Sequence, residues 1–347
     1  MKKSWATGII ISIIAFSAGS VVTFLNLQQG SPPALAASVP RQIQELAVLE
    51  KFKVSGLRPD SEFTFLRVDA GMERGIWTKY GLAPDFVIKL GGRILAANIK
   101  EDVASGIMIG TANPSEVLLA RSTGVPVKIV AGVYGESNAW FFAKVDAPIF
   151  SLKDLDGKKV GVVSMKDASY RTVLYMNDKL AIKAEPVAAG NDTGQIVALK
   201  LGKIDAIDSS STVFLRLVDA GELKIVGRVA EIIPTPYTTI AIWATEEGIQ
   251  REPTLVKKFV SAYLDCIKYL KENPIHAADI YVNRTNAPRD LADKAMPVMN
   301  WTPSGRGSGQ DLVAAVANIW EVLKVTGQVP SDINPQIVDA VDVRFLP

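Results

Sequence analysis

The sequence predicts an α/β protein made of two doubly wound lobes joined by two hinge strands. From residue 61 onward, short apolar segments alternate with amphipathic helical ones, which is typical of crossover units around a mostly parallel sheet. The strand–helix–strand segment that starts at Gly106 is echoed by one that starts at Gly202, which favours two lobes of similar architecture. Each echo is followed by a further strand segment at which the chain can cross between the lobes.

The first 40 residues have the composition of an export signal or a membrane anchor. Two lysines precede an uncharged run that lasts until Arg41. Its apolar part, Trp5–Leu27, is long enough to span a bilayer, which takes about 20 apolar residues. A cleaved signal and a retained anchor are both compatible with this pattern. Either one places the rest of the chain in the periplasm or another extracytoplasmic space, secreted or tethered. Residues 41–60 are predicted to form a linker helix.

The elements of the first lobe follow from hydrophobic periodicity and from the glycines that end helices. The predicted order is a strand at 63–69, a helix at 70–81, a strand at 86–92, a helix at 93–106, a strand at 107–112, a helix at 114–124 and a strand at 127–133. In the second lobe, "KVGVV" is predicted as a buried strand that leads into a helix capped by Ser164 or Asp167. Two long amphipathic helices are expected in the C-terminal tail, at 253–273 and 310–327.

Two segments are interpreted as parallel connecting strands that form the hinge. They are the aromatic segment 139–152 and the segment 234–248, which is entered through two prolines. The first lobe is therefore expected to combine residues 61–145 and 239–347, and the second lobe to span 146–238. Lobes that close on a ligand about such a hinge are a common switching design.

The composition excludes several kinds of chemistry. Cys266 is the only cysteine and His276 the only histidine, so the chain has no internal disulfide and cannot build a zinc site from these residue types alone. Neither residue lies in a catalytic pattern, and we expect no catalytic residue, metal or cofactor. The formal net charge of +2 gives no reason to expect a nucleic-acid partner.

Polar residues follow the predicted strands, where open α/β sheets bind ligands and where unpaired helix N–H groups point. Tyrosines near the hinge could stack on a flat ring, although core packing is an alternative for them. For the serines and aspartates, capping of their own helices is an alternative that is compatible with ligand contact. The candidate ligand-binding residues are Asp69, Met72, Thr111, Asn113, Tyr134, Asn138, Ser164, Lys166, Asp167, Ser169, Asp192, Ser209, Ser210, Ser211 and Tyr237.

Four segments, in order, resemble the substrate-binding proteins of ABC importers, in the branch that takes nitrate, sulfonates, taurine or thiamine-pyrimidine precursors. The segments are "ERGIWTKYGLAPDFV", "APIFSLKDLDGKKVGVV", "ALKLGKIDAI" and "VKKFVSAYLDCIKYLKENPIHAA". The resemblance implies a type II periplasmic-binding-protein fold, one small solute in the cleft between the lobes, and delivery to a membrane permease. It also implies ligand contacts on the loops after the strands. The segment "DAGMERG" departs from the usual opening loop of this family.

The function predicted from these observations is solute capture by a non-enzymatic monomer. One alternative is a ligand-sensing module tethered by the N-terminal segment. Another is a pyrimidine synthase of the same fold, but that enzyme consumes its own histidine and carries a cysteine-rich motif. Helix N-termini and the basic residues Arg93, Lys166 and Arg171 favour a small organic anion as the solute.

Overall fold

A computed structural model describes residues 49–57, 62–88, 95–133, 137, 139–298, 303–304, 310–330 and 337–347. The export or anchor segment predicted at 1–40 lies outside the described residues, and so do the candidate site residues Tyr134 and Asn138. Within the described ranges, no helix is both long enough and apolar enough to cross a membrane.

Strands and helices alternate along most of the described chain. The strands are β1 (Glu50–Leu57), β2 (Leu82–Ile88), β3 (Ile109–Ala112), β4 (Val127–Val133), β5 (Trp140–Lys144), β6 (Lys159–Val162), β7 (Glu185–Ala188), β8 (Ala206–Ser209), β9 (Leu223–Arg228), β10 (Ile240–Thr245) and β11 (Pro303–Ser304). The helices are α1 (Glu62–Glu73), α2 (Ile76–Lys79), α3 (Ala96–Ala104), α4 (Pro114–Ser122), α5 (Ala168–Leu180), α6 (Asp192–Lys200), α7 (Thr212–Asp219), α8 (Glu246–Arg251), α9 (Pro253–Glu272), α10 (Pro274–Thr285), α11 (Arg289–Val298), α12 (Gln310–Val325) and α13 (Ile337–Ala340).

The strands form two mixed sheets. The first sheet has the order β11-β4-β10-β3-β1-β2 and the second has the order β7-β6-β8-β5-β9. In the first sheet, β1 pairs parallel with β2 and β3, and in the second β6 pairs parallel with β7 and β8. Below, "first lobe" and "second lobe" mean each sheet with the helices that pack on it. The predicted α/β class with two lobes is confirmed, whereas the residue boundaries of the lobes stay a prediction.

The two sheets repeat one arrangement. The order β2-β1-β3-β10-β4 in the first sheet corresponds to β7-β6-β8-β5-β9 in the second. In the first sheet, β10 lies antiparallel between β3 and β4, and in the second, β5 lies antiparallel between β8 and β9. The two neighbours of each antiparallel strand belong to one strand–helix–strand unit. Those units are β3-α4-β4 and β8-α7-β9, which are the two segments whose sequences echo each other. The sequence echo therefore corresponds to equivalent positions in the two lobes.

The predicted hinge strands are β5 and β10, but they do not form a parallel pair. β5 lies inside the second sheet, antiparallel to β8 and β9, and β10 lies inside the first sheet, antiparallel to β3 and β4. Each strand is the one by which the chain enters a new sheet. The crossings between the lobes are therefore the segments between Val133 and Trp140 and between Arg228 and Ile240.

The N-terminal assignments need correction. The linker helix predicted over 41–60 is wrong at 50–57, because these residues form β1, which pairs between β2 and β3 in the first sheet. Lys51 and Lys53 are exposed in β1 while Val54 is buried, which is the alternation of a half-buried strand. The strand predicted at 63–69 is also wrong, because these residues belong to α1. The β-branched and aromatic residues of this segment favoured a strand. Residues 65–68 are all buried, which is the pattern of a helix that packs between other elements.

Aromatic side chains fill the core of the first lobe. Trp77 stacks on Phe259 of the long helix α9 with ring centroids 5.6 Å apart, and Phe52 of β1 meets the same ring edge-on at 5.9 Å. Cys266 is a free, fully buried thiol in this core, and burial raises its pKa. It is therefore a packing residue rather than a reactive one.

Candidate functional site

The start of α4 carries the candidate residues of the first sheet. Asn113 caps α4, because its Oδ1 accepts hydrogen bonds from the Ser115 backbone N–H at 3.0 Å and from the Ser115 hydroxyl at 2.6 Å. Thr111 precedes this cap at the carboxyl end of β3, and its buried hydroxyl lies 3.5 Å from the Gly56 carbonyl of β1. The predicted strand end and helix cap are both confirmed here.

The loop between β6 and α5 carries the candidates of the second sheet. Asp167 caps α5, and its Oδ1 accepts from the Ser169 hydroxyl at 2.7 Å and from the Tyr170 N–H at 3.3 Å. The Ser169 Oγ accepts from the Val163 N–H at 3.1 Å, so this serine closes the loop onto the end of β6. Ser164 accepts from the Lys166 N–H at 3.3 Å. The Ser164 side chain is partly exposed and the Lys166 side chain is exposed, whereas Asp167 and Ser169 are buried.

Arg171 joins the two loops across the boundary between the lobes. Its Nη2 donates to the Ser115 hydroxyl at 2.8 Å and to the Glu116 carboxylate, both in α4, and its Nη1 donates to the Lys166 carbonyl at 3.1 Å. Glu116 accepts a further hydrogen bond from the Ala96 N–H at the start of α3, at 3.0 Å. The ends of β3 and β6, which belong to different sheets, therefore meet at one place.

Sequence reasoning missed Ser115 and Glu116 as members of this site. The available signal was the one charged residue of "PSEVLLA", Glu116, in a segment that the structure buries at all positions but one. A buried acid in such a segment needs a partner, and a buried arginine elsewhere in the chain is the natural one. Arg171 was expected to favour an anionic solute, but in the structure its charge is engaged by Glu116.

The end of β8 lies beside the end of β6 and brings the serine cluster to the same edge. Ser211 caps α7 through a 3.4 Å hydrogen bond from the Val213 N–H, and Ser209 accepts from the Ser211 N–H at 3.1 Å. Ser210 lies between them and is partly exposed. The next residue, Thr212, places its hydroxyl 3.1 Å from that of Tyr281 in α10, which is a second contact between the lobes.

Three further candidates occupy other positions. Asp69 and Met72 lie within α1 rather than in a loop after a strand, so the placement predicted for them is wrong for the reason given above. The Asp69 carboxylate is 3.6 Å from Arg284 Nε, and burial raises its pKa. Asp192 is the first residue of α6, directly after the Asn191 cap, at the end of β7 and hence at the expected edge of the second sheet.

Tyr237 is buried and lines a cavity of about 10 Å³ together with Ser115, Ala168 and Arg171. This volume holds about one water molecule. A wider cavity of about 320 Å³ lies on another part of the surface, against Arg121, Glu246 and Trp320, and none of the candidate residues lines it. The N-termini of α4 and α5 meet at the smaller cavity. In the part of the chain that the structure describes, no group of three or more His, Cys, Asp or Glu side chains could hold a metal ion.

A profile of the NMT1/THI5-like family matches residues 95–277, which is more than half of the chain. The chain belongs to the NMT1/THI5-like family. The match includes both loops that Arg171 joins, as well as the serine cluster at the end of β8. The resemblance inferred from the four sequence segments is thereby confirmed at the level of the family.

A curated relative supports this membership. The chain is 30% identical over 183 residues to the riboflavin-binding protein RibY of Chloroflexus aurantiacus, an alignment that covers 51% of this chain and 50% of that protein. The chain thus spans about half the length of the curated relative that it matches.

Solved structures share the fold at low sequence identity. The alkanesulfonate-binding protein SsuA from Xanthomonas axonopodis pv. citri, bound to MOPS, superposes with a TM-score of 0.68 at 11% identity, covering 84% of this chain and 98% of that one. The periplasmic aliphatic sulphonate-binding protein SsuA of Escherichia coli gives a TM-score of 0.70 at 11% identity, with 84% and 92% covered. The predicted periplasmic-binding-protein fold is therefore confirmed.

Proposed function

We propose that this protein is an extracytoplasmic solute-binding protein that captures one small organic solute between its lobes and delivers it to an ABC importer. The observation that carries the proposal is the meeting of two helix N-termini, one from each sheet, where Arg171 of α5 contacts Ser115 of α4 at 2.8 Å. Polar residues at the ends of strands lie on both sides of the boundary between the lobes. This arrangement favours binding of a solute between the lobes.

Binding at this place needs no catalytic group. Helix N-termini supply N–H donors and partial positive charge to acceptor atoms of a solute, and closure about the crossings excludes water from these hydrogen bonds. The permease partner, the extracytoplasmic location, the monomeric state and the absence of enzymatic turnover belong to the same proposal. They are supported by the family and by the resemblance of the fold to periplasmic binding proteins.

The solute is proposed to be rich in hydrogen-bond acceptors. An organic anion is favoured by the helix N-termini and by Lys166, whose side chain is exposed beside the Ser164 loop. A flat ring with carbonyl groups is favoured by the relative that binds riboflavin. The engagement of Arg171 by Glu116 leaves Lys166 as the basic side chain of this loop that is open to a solute.

Titration calorimetry of the full chain with riboflavin, taurine, an alkanesulfonate and nitrate tests the proposal. We expect one compound to bind with a stoichiometry of one per chain and to be recovered unchanged. Chemical conversion of the bound compound would contradict the proposal, and so would saturable binding at several sites.

Lys166→Ala separates the two solute classes. We expect it to weaken binding of an organic anion about tenfold, because one charge-assisted contact is lost. Binding of riboflavin should change less than twofold. Lys183→Ala is the matched control, since Lys183 is an exposed lysine two residues before β7, at the opposite end of the second sheet, and should leave either affinity unchanged.

A further inference from the structure

The wider cavity, of about 320 Å³, lies at the opposite end of α4 from the contacts of Arg171. Its walls come from the last turn of α4, the turn before β4, the start of α8, and the helices α12 and α13. Helix α4 has nine residues, so its two ends are about 12 Å apart. None of the residues predicted to bind the solute lines this cavity. A molecule bound here would therefore occupy a second site.

Much of the wall of this cavity is apolar. Leu118, Val125 and Ala340 line it, and all three are buried. Trp320 of α12 lines it as well and is 3% exposed. Small-molecule sites have volumes from about 300 Å³ upward and are lined mainly by apolar and aromatic side chains with a few polar groups. The wall of this cavity therefore suits the body of a small ring compound.

An ion pair supplies the charged groups of the cavity. Arg121 Nη1 donates to the Glu246 carboxylate at 2.8 Å and to the Val127 carbonyl at 2.9 Å. Within the described residues these bonds use only Nη1 and Oε1, so Nη2, Nε and the second carboxylate oxygen remain for a ligand or for water. The two charges of the pair offset each other. The pair therefore favours an uncharged group that both accepts and donates hydrogen bonds, as an amide does.

The indole of Trp320 adds a donor without an acceptor. Its Nε1 is buried and has no hydrogen-bond partner among the residues that the structure describes. A buried donor without an acceptor costs free energy, and the cavity that this side chain lines is the place from which an acceptor can come. Trp243 of β10 offers a comparison, because its buried Nε1 also has no partner in the described ranges but its side chain lines neither cavity.

We propose that this cavity is a second binding site, for a small, flat, uncharged molecule that carries an amide. The ring lies against the apolar wall. The carbonyl oxygen accepts from the guanidinium of Arg121 and from the indole N–H of Trp320, and the amide N–H donates to Glu246. The proposal is independent of the proposed function, because it concerns different residues and a different class of ligand from the organic anion favoured between the lobes.

Benzamide is the test compound, and the indole N–H resonances of the full chain, labelled with ¹⁵N-tryptophan, are the readout. Trp320→Phe and Trp243→Phe identify the two resonances. We expect benzamide to shift the Trp320 resonance saturably at millimolar concentration and to leave the Trp243 resonance in place. Ethylbenzene, which lacks the amide, should bind at least about threefold more weakly. An unmoved Trp320 resonance, equal shifts of both resonances, or tighter binding of benzoate than of benzamide would overturn the proposal.

A blocking variant tests whether the compound enters this cavity. Ser122 is exposed and lines the cavity, so Ser122→Phe should weaken benzamide binding at least about fivefold by filling the space. The matched control is Ser105→Phe. Ser105 is also exposed near a helix end and also donates to a backbone carbonyl of its own helix, that of Glu101 at 2.9 Å, but it lines neither cavity. Its replacement should change the affinity less than about twofold. Undiminished binding in Ser122→Phe, or equal losses in both variants, would overturn the assignment.

Discussion

The Ser169 hydroxyl donates a 2.7 Å hydrogen bond to the Asp167 carboxylate, and both side chains are buried. Two residues that were predicted to bind a ligand therefore hold their own loop in place. The Ser164 side chain, in the same loop, is only partly buried and accepts one hydrogen bond within the loop, from the Lys166 N–H at 3.3 Å. The loop thus divides into side chains that build it and side chains that can meet a solute.

Ser164→Ala and Ser169→Ala should differ in what they change. Ser169→Ala removes the bonds to Asp167 and to the Val163 N–H, so we expect a loss of about 1–2 kcal/mol in the free energy of unfolding. Ser164→Ala should change stability by less than about 0.5 kcal/mol but weaken solute binding. Urea unfolding and titration of the same samples measure both. Equal stability losses in the two variants would contradict this division of roles.

Arg171→Met should be far more damaging than the double replacement of Arg171 and Glu116. The single variant leaves the Glu116 carboxylate buried without its cation, for which a loss of about 3–5 kcal/mol is typical. In the double variant both charges are gone, so we expect a loss of less than about 2 kcal/mol. Denaturant unfolding of the parent and both variants tests this. A double variant as unstable as the single one would show that the lost packing, rather than the uncompensated charge, causes the damage.

Periodicity predicted the elements well where local pattern and tertiary contacts agree. The strand end at Ala112 and the helix start after Asn113 lie where the sequence placed them, and the cap of α5 is Asp167, one of the two residues predicted for it, because turn and capping residues act locally. The fold class followed from the same alternation. At β1 the strict alternation of Lys51 and Lys53 with apolar residues was a usable signal for a strand.

The ion pair between Arg171 and Glu116 was not predictable from local pattern. Glu116 and Arg171 are 55 residues apart in the chain, and nothing in either helix specifies that the other will face it. The α1 assignment had the same cause, because the aromatic residues of 62–68 favour a strand until α9 and α10 pack around them. Contacts between lobes depend on the arrangement of whole sheets, which short sequence windows do not encode.

The Asp342 carboxylate should make stability depend on pH at the acid end. Arg344 lowers the pKa of this group through side-chain hydrogen bonds, one of them 2.9 Å long from Arg344 Nε, together with the Arg344 backbone N–H. A carboxylate whose pKa is depressed on folding stabilises the protein above its unfolded pKa of about 3.9, and this contribution is lost as the pH falls through the folded pKa.

Asp342→Asn isolates that charge, because the amide oxygen can still cap the Arg344 N–H. We expect a loss of about 0.5–1 kcal/mol at pH 7, kept small by the exposure of Arg344, and a smaller difference at pH 2. Thermal unfolding at both pH values measures it. Asp342→Ala, which removes the cap as well, should remain destabilised at pH 2; a pH-independent loss in Asp342→Asn would refute the assignment.

The hydroxyls of Thr212 and Tyr281 provide a second place at which the lobes can be tested. They lie 3.1 Å apart, between the first residue of α7 in the second lobe and α10 in the first. Thr212→Val and Tyr281→Phe each remove one hydroxyl with little change of shape. A double-mutant cycle on unfolding free energies should give a coupling of about 0.5–1.5 kcal/mol. A coupling near zero would show that the two hydroxyls do not stabilise the fold through each other.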